Sequence, residues 1–276
     1  MTQYDLHTHS TASDGSLSPT DLVTRAKAQG VTHLALTDHD GTEGLEEAAV
    51  AAERLGISLI PGVEVSVSWH GATVHIVGLQ LDQQNEALQN GLRSLRDYRR
   101  TRARKIAERL DKAGIPGALE GAGKYASETM LGRVHFARFL VEKGHASDMK
   151  EVFNRFLVKN KPGYVSGHWA TLADAVGWIR EASGQAVIAH PARYKMTNSK
   201  RRRLLAEFKS LGGEAIEVSS GNQHPEEVRV MAKLAVEFDL LASCGSDFHS
   251  PDNNWIELGK MTTMPPFVTP IWTQWQ

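Results

Sequence analysis

Seven short β-rich runs punctuate the chain, YDLH, THLALT, SLIPGVEV, TVHIVGL, AVIAH, AIEVS and LLASCG, and helical sequence lies between most of them. This alternation favours a parallel sheet, because a chain must cross back over the sheet before its next strand can run the same way. In the first intervening segment Ser18 suits an N-cap, Pro19 the first helical position, Asp21 the positive end of the dipole and Gly30 the stop. A second helix is expected from Thr42 to Leu55, ended by Gly56, and others over Leu172 to Ala182, Ser199 to Leu211 and Pro225 to Phe238. Trp69-His70-Gly71, set between two β-rich runs, reads instead as a tight hairpin that breaks the rhythm locally.

Residues 85–168 interrupt the pattern with helical sequence, which divides the chain into a barrel-forming part, 1–84 and 169–276, and a helical insert. A length of 276 residues accommodates one large core with such an insert. Leu88, Leu92, Leu95, Ile106 and Leu110 form an apolar stripe, while nine Lys or Arg fall within Arg93 to Lys112. Such a run reads first as a solvated face and second as a guide for a polyanion, and Lys200 to Arg203 reads the same way.

Metal-ligand side chains gather where the β-rich runs finish. His7 and His9 follow the first, Asp38, His39 and Asp40 the second, Glu64 the third, His190 the fifth, and Asp247 and His249 the last. In a parallel barrel these carboxyl ends share one face, where active sites are assembled from residues distant in sequence. His75 can join from within its strand, and the i, i+2 spacing of His7 and His9 turns both imidazoles to one side of an extended segment. With Asp14 added, the donors are too many for one ion, and burying them without a cation would cost several kcal/mol. Mixed imidazole and carboxylate donors suit Mn²⁺, Fe²⁺ or Zn²⁺ better than Ca²⁺ or Mg²⁺. Asp5 and Asp38 are expected to receive ring N–H groups of ligating histidines, and Asp40 to be an outer partner or a helix cap.

Composition closes off other classes. A formal charge of -1 excludes a globally basic nucleic-acid binder, so any polyanion affinity must be local. The lone Cys244 permits no internal disulfide, lies in an apolar run and reads as core packing rather than a nucleophile. No apolar run reaches the roughly 18 residues of a spanning helix. The strand-like QYDLH near the start is unlike a secretion signal, and a cytoplasmic protein with no membrane association and no obligate protein partner is expected.

The motifs DLHTHSTASDG, LTDHD, PGVE, VHIVG, AHPAR and GSDFHSP, in that order, resemble those of the PHP (polymerase and histidinol phosphatase) family over nearly the whole chain. The resemblance implies a distorted (β/α)7 barrel holding three divalent metal ions, Mn²⁺ first, with a catalytic centre that includes Glu64, Asp247 and His190. It implies His7, His9, Glu64 and Asp247 around one ion, Glu64, His75 and His190 around a second, and Asp14, His39 and His249 around a third. GRVHFARFLVEKG followed by VFNRFLVKNKPGYV is similar to the insert of bacterial nucleotide-bisphosphate phosphatases that also act as 5′-to-3′ exoribonucleases, although members often show Pro where this chain has Val134.

That resemblance implies a metal-dependent phosphoesterase that removes the 3′-phosphate of 3′,5′-bisphosphonucleotides such as pAp and trims short 5′-phosphorylated RNA. Arg133 and His135, with Arg193 and His224, are the expected substrate contacts, since a forked guanidinium can take two phosphoryl oxygens. Lys161 and Tyr164 are weaker candidates. No aromatic ladder of the kind that binds long single strands is visible, which favours short RNA or a mononucleotide. Two other readings stay open: histidinol-phosphate or another small-molecule phosphomonoesterase, and a noncatalytic RNA-binding or polymerase-associated module.

Overall fold

The structure, a computed structural model, describes residues 2–126 and 130–275. Seven strands join in sequence order into one sheet: β1 (Tyr4–Asp5), β2 (His33–Leu36), β3 (Ser58–Trp69), β4 (Ala72–Leu79), β5 (Gln185–Ile188), β6 (Ala215–Ser220) and β7 (Leu241–Gly245). The last strand returns to the first, where Leu6 N–H donates to the Cys244 carbonyl at 3.0 Å and Thr8 bridges Phe248, so the sheet is nearly closed. Helices α1 (Pro19–Ala28), α2 (Leu45–Leu55), α7 (Leu172–Glu181), α8 (Asn198–Ser210) and α9 (Pro225–Glu237) surround it. The fold is the expected distorted (β/α)7 barrel.

β1, β2 and β3 pair in parallel, as do β5, β6 and β7, but β4 runs against both its neighbours. The hairpin at His70 and Gly71 produces this reversal, and both residues take positive φ, 42° and 76°, as a two-residue turn of this twist requires. Reversal has a consequence for the site: the early part of β4 lies at the end of the barrel where the six parallel strands finish, so His75, paired opposite Ser66, joins from mid-strand.

Two expectations about element limits need correction. Glu64 does not follow β3 but sits at its middle, because continuous burial from Gly62 to Val67 and continued pairing with β4 carry the strand on to Trp69. The second helix begins at Leu45 rather than Thr42, whose Oγ1 accepts a hydrogen bond from Gln89 Nε2 at 2.9 Å and whose carbonyl closes a turn with Leu45 N–H.

Between β4 and α7 the chain forms α3 (Glu86–Lys112), α4 (Ala118–Gly123), α5 (Arg133–Glu142), α6 (Met149–Val152) and a π-helical turn, Phe153–Leu157. One helix serves two cores. Leu88, Leu92 and Leu95 of α3 pack with the barrel, where Gly91 lies against the Trp178 ring closely enough to exclude any Cβ. Ile106 and Leu110 of the same helix pack with Phe136, Phe139 and Leu140 of α5. Among the described residues no helix is long and apolar enough to cross a membrane.

Candidate metal centre and anion cavity

Short strands ending in tight loops place the donors. His7 and His9 leave β1, and Asp247 and His249 leave β7, with Asp247 N–H donating to the His7 carbonyl at 2.8 Å. His39 leaves β2 and bridges Glu64 of β3, while His190 leaves β5. Asp40, His190 and Asp247 all adopt left-handed backbone, with φ of 50°, 32° and 56°. Such conformations cost on the order of 1–3 kcal/mol each and persist where surrounding structure fixes them, which is characteristic of functional sites.

Glu64 is the hub. Its carboxylate is fully buried and approached within 3.3 Å by five imidazoles: His75 Nδ1 at 2.8 Å and His190 Nε2 at 3.1 Å on Oε1, with His39 Nδ1 at 2.8 Å and His7 Nε2 and His9 Nε2 at 3.3 Å on Oε2. Asp247 Oδ1 lies 3.2 Å from His9 Nε2 and 3.6 Å from His7 Nε2. Asp14 lies 3.2 Å from His249 Nε2 and 3.8 Å from His39 Nε2.

Four overlapping groups result, each with its ligating atoms within 4.8 Å of one another: His9, Asp14, His39 and His249; His7, Glu64 and His190; His7, His9 and Asp247; and His39, Glu64 and His75. Every residue expected as a metal ligand lies in at least one of them.

Charge in this cluster is unevenly shared. Burial alone would raise the Glu64 pKa, but His39, His75 and His7 outweigh it and hold the carboxylate well below its ordinary range. Asp14 and Asp247 are likewise depressed against the effect of burial, Asp14 chiefly by His249 and His39, Asp247 chiefly by His7 and His249. Burial opposes charge on the histidines, yet Asp14 and Asp247 raise His249 to about 10, and Glu217 and Glu64 raise His7 well above normal. His9, lowered by burial and by its His249 neighbour, falls to about 3.

The donor set fits divalent cations. His7 Nε2 and His9 Nε2 face each other at 3.1 Å, and Asp14 Oδ1, His39 Nδ1 and Glu64 Oε2 are buried without a hydrogen bond. Converging lone pairs of this kind are costly to bury unless a cation takes them.

The carboxylate that orients the ligands, Glu217, is not among the residues expected from the sequence. Glu217 on β6 sits 2.5 Å from His7 Nδ1 through Oε1 and accepts the His190 backbone N–H at 2.6 Å through Oε2, fixing the ring so that His7 Nε2 faces the cluster. Asp5 and Asp38 do not have the expected role. Asp5 accepts N–H groups from Ser246 and Gly259, and Asp38 accepts from the Ser10 backbone, the Ser10 hydroxyl and the Ser13 hydroxyl, so both brace loops. Burial raises the Asp5 pKa to about 6 and that of Asp38 above normal. Asp40 is no helix cap: it is fully buried, with Arg99 Nε donating to Oδ2 at 2.6 Å and Ser66 N–H to Oδ1 at 2.7 Å.

That contact corrects the first reading of the basic run on α3, a solvated face, for two of its arginines. Arg99 and Arg102 are both buried, and they stack over Trp169 at 4.7 and 5.3 Å. With Arg133 they line a cavity of about 270 Å³ whose walls also include Asp14, His39, His75 and Tyr164. Burial first, then the neighbouring guanidiniums, lower Arg102 to about 10 and depress Arg133. Arg99 is paired with Asp40 and the Ser66 hydroxyl and Arg102 donates to the Val165 carbonyl, and with Arg133 beside them the three guanidiniums give this cavity a positive wall that can take an anion.

The remaining candidates distribute unevenly. Arg193 reaches the cluster, but its guanidinium is engaged by Asp247 Oδ2. His135 is buried in the insert, where its Nδ1 accepts the Gly132 N–H at 3.0 Å and its Nε2 has no hydrogen bond; it does not line the arginine cavity. His224 is exposed and caps α9, Nδ1 accepting the Glu226 N–H at 3.3 Å, and it too lies outside the cavity. Lys161 belongs to a separate outer pocket with Lys105 and Arg109. Cys244 is buried, its thiol pKa pushed up by desolvation.

Comparison with known proteins agrees with this geometry. The chain is 48% identical to a Chromobacterium violaceum protein named 3′,5′-nucleoside bisphosphate phosphatase, over 99% of this chain and 96% of that one. It is 46% identical to the Escherichia coli 5′-3′ exoribonuclease Rnm, over 99% and 94%. A solved structure from Chromobacterium violaceum, described as an amidohydrolase with bound sulfate and no metal, superposes with a TM-score of 0.94 at 48% identity, covering 99% of this chain and 95% of that one. The model of the PHP domain matches residues 5–185, a span that takes in His7 through His75 of the cluster, and on that match and these relatives the chain belongs to the PHP domain family.

Proposed function

We propose that this protein hydrolyses the phosphoester at the 3′-oxygen of a nucleotide whose 5′-phosphate it anchors, converting pAp to AMP and releasing nucleotides one at a time from the 5′ end of short 5′-phosphorylated RNA. The observation that carries this reading is the arginine cavity sharing walls with the metal-ligand cluster through Asp14, His39 and His75. A substrate that fills both must present one phosphoryl group for reaction and a second anion for anchoring. Histidinol phosphate has one phosphate and a cationic amine, which Arg99, Arg102 and Arg133 would repel. The names of the relatives, one a bisphosphate phosphatase and the other an exoribonuclease, support the same pair of substrates.

One chemical step serves both. Water adds its oxygen to phosphorus, the P–O3′ bond breaks, and the departing 3′-oxygen takes a proton. From pAp the phosphorus leaves as free phosphate; from RNA it remains as the 5′-phosphate of the shortened chain. Divalent ions would supply an activated water and charge neutralisation at the phosphoryl oxygens. His7, His9, Glu64 and Asp247 are assigned to one ion, Glu64, His75 and His190 to a second, and Asp14, His39 and His249 to a third, with Mn²⁺ the first choice and Fe²⁺ or Zn²⁺ the alternatives. Glu64, with Asp247 and His190, holds the reacting centre. Arg133 grips the 5′-phosphate with Arg99 and Arg102 beside it, whereas Arg193 acts through Asp247. Residues 85–168 form the insert that closes the anion cavity over barrel residues 1–84 and 169–276. A single buried Cys244 accords with a cytoplasmic location.

Two outcomes test this. Metal analysis of the loaded protein should approach three ions per chain, and His39→Ala should lose mainly one; saturation of the wild type at one ion would refute the assignment. Arg133→Ala should lower kcat/KM on pAp by about tenfold to a hundredfold, the worth of one charge-assisted contact, and leave slow hydrolysis of an aryl phosphate nearly intact. Removing the substrate's 5′-phosphate should cost the wild type similarly and the variant little, because both changes delete the same interaction. Additive losses would mean that Arg133 does not read that phosphate.

A further inference from the structure

The metal-ligand cluster opens on a second side. His249 lines a broad groove of about 1150 Å³ that the arginine cavity does not include, although Val134 forms a wall of both. Val134, Arg138 and Val141 stand at i, i+4 and i+7 on α5 and so present one helix face to this groove. Met149 and Lys150 of α6 continue that wall, and the loop after His249 forms the other, ending in Trp255. Trp255 is 78% exposed, the highest value among the exposed large hydrophobic residues described.

We propose that this groove binds the nucleotide on the 3′ side of the scissile phosphate, with the Trp255 indole stacked on its base and Arg138 and Lys150 drawing the phosphate that follows. The inference rests on the proposed phosphoesterase reading and extends it to the RNA beyond the cleaved bond. A nucleotide anchored by its 5′-phosphate in the arginine cavity directs the rest of its chain across the cluster, and the groove at His249 is the adjoining open space. Its volume exceeds that of most small-molecule pockets, roughly 300–1,000 Å³.

Two cations, Arg138 and Lys150, stand in its lining. Arg138 Nη2 lies 3.5 Å from the Asp14 carbonyl, at the edge of the cluster, and Lys150 is exposed. Glu142, Asp148 and Asp252 line the groove as well, Glu142 accepting from the Tyr125 hydroxyl, Asp148 capping α6 and Asp252 accepting from the Ser250 hydroxyl, so selectivity for a nucleotide rests on the Trp255 face rather than on net charge. An exposed indole offers a face to any base, so one stack tolerates all sequences and suits a short substrate. pAp has no nucleotide beyond its 3′-phosphate and cannot use the stack.

The experiment compares wild type, Trp255→Ala and Trp255→Phe, each manganese-loaded, on pAp and on a 5′-phosphorylated RNA trimer. Trp255→Ala should reduce kcat/KM for the trimer by about tenfold to a hundredfold, the range for loss of one base stack, and change pAp hydrolysis less than about twofold. Trp255→Phe, which keeps an aromatic face, should recover most of the loss. Equal losses on both substrates, or an unchanged trimer rate, would overturn the proposal. Binding of a fluorescent, phosphorothioate-linked trimer to the same proteins, read by anisotropy, needs no turnover. A wild type that hydrolyses neither substrate would count against the phosphoesterase reading, whereas equal trimer affinity in wild type and Trp255→Ala would overturn the groove.

Discussion

Glu64→Gln should lower turnover by about a hundredfold to a thousandfold, the scale associated with removing one preorganised electrostatic group from a reacting centre. The substitution keeps shape and one acceptor oxygen but removes the charge around which His7, His9, His39, His75 and His190 converge. His39, which has both Glu64 and Asp14 to offset its burial, loses one of the two carboxylates that raise its pKa. The assigned ions should bind more weakly as a result, so metal content and rate should fall together. A variant that keeps a full complement of metal and turns over within tenfold of the wild type would remove Glu64 from the centre of this account.

Asp40→Asn should act on the fold instead, destabilising it by about 3 kcal/mol or more, because breaking a buried ion pair strands the remaining charge. Asn tolerates the left-handed conformation that Asp40 adopts, φ 50°, and its carbonyl can still accept the Ser66 N–H, so the change isolates the loss of negative charge beside Arg99. Glu43→Gln is the control. Its pair with Arg96, at 3.4 Å, has a side chain 40% exposed, and an exposed pair of this kind is worth at most about 1 kcal/mol. Chemical denaturation should separate the two variants clearly. Equal midpoints would mean that the Asp40–Arg99 contact does not hold α3 to the barrel. Arg99 also lines the anion cavity, so Asp40→Asn should weaken pAp binding in addition, with a smaller effect on turnover than Glu64→Gln.

The difference between these two carboxylates shows what the sequence could and could not convey. Donors such as His7, His9, His190 and Asp247 stand next to short apolar runs, and in a parallel sheet that position alone predicts a shared face. Glu64 was found for its residue type but misplaced, because the hairpin after Trp69 lets β3 run five residues past it. Glu217 escaped notice because one acid within AIEVS looks like the outward position of a half-exposed strand, and only barrel closure turns it toward His7. Arg99 and Arg102 were hidden in a basic run that ordinarily faces water. A signal was present: residues 92, 95, 99, 102 and 106 continue the apolar stripe of α3 at helical spacing, which placed both arginines on its buried side. Their partners, Asp40 from the loop after β2 and Trp169 beyond the insert, come from distant parts of the chain, and no local pattern specifies such a meeting.

The central claim is that one site joins phosphoryl hydrolysis to recognition of a second anion on the same nucleotide. A competition among equal concentrations of pAp, histidinol phosphate and a 5′-phosphorylated RNA trimer, offered to manganese-loaded protein and followed by product analysis, tests it most directly. The account predicts AMP and free phosphate from pAp, a 5′-mononucleotide and a 5′-phosphorylated dimer from the trimer, and little or no histidinol. Preferential release of histidinol, or release of phosphate from the 5′ position of pAp, would contradict it.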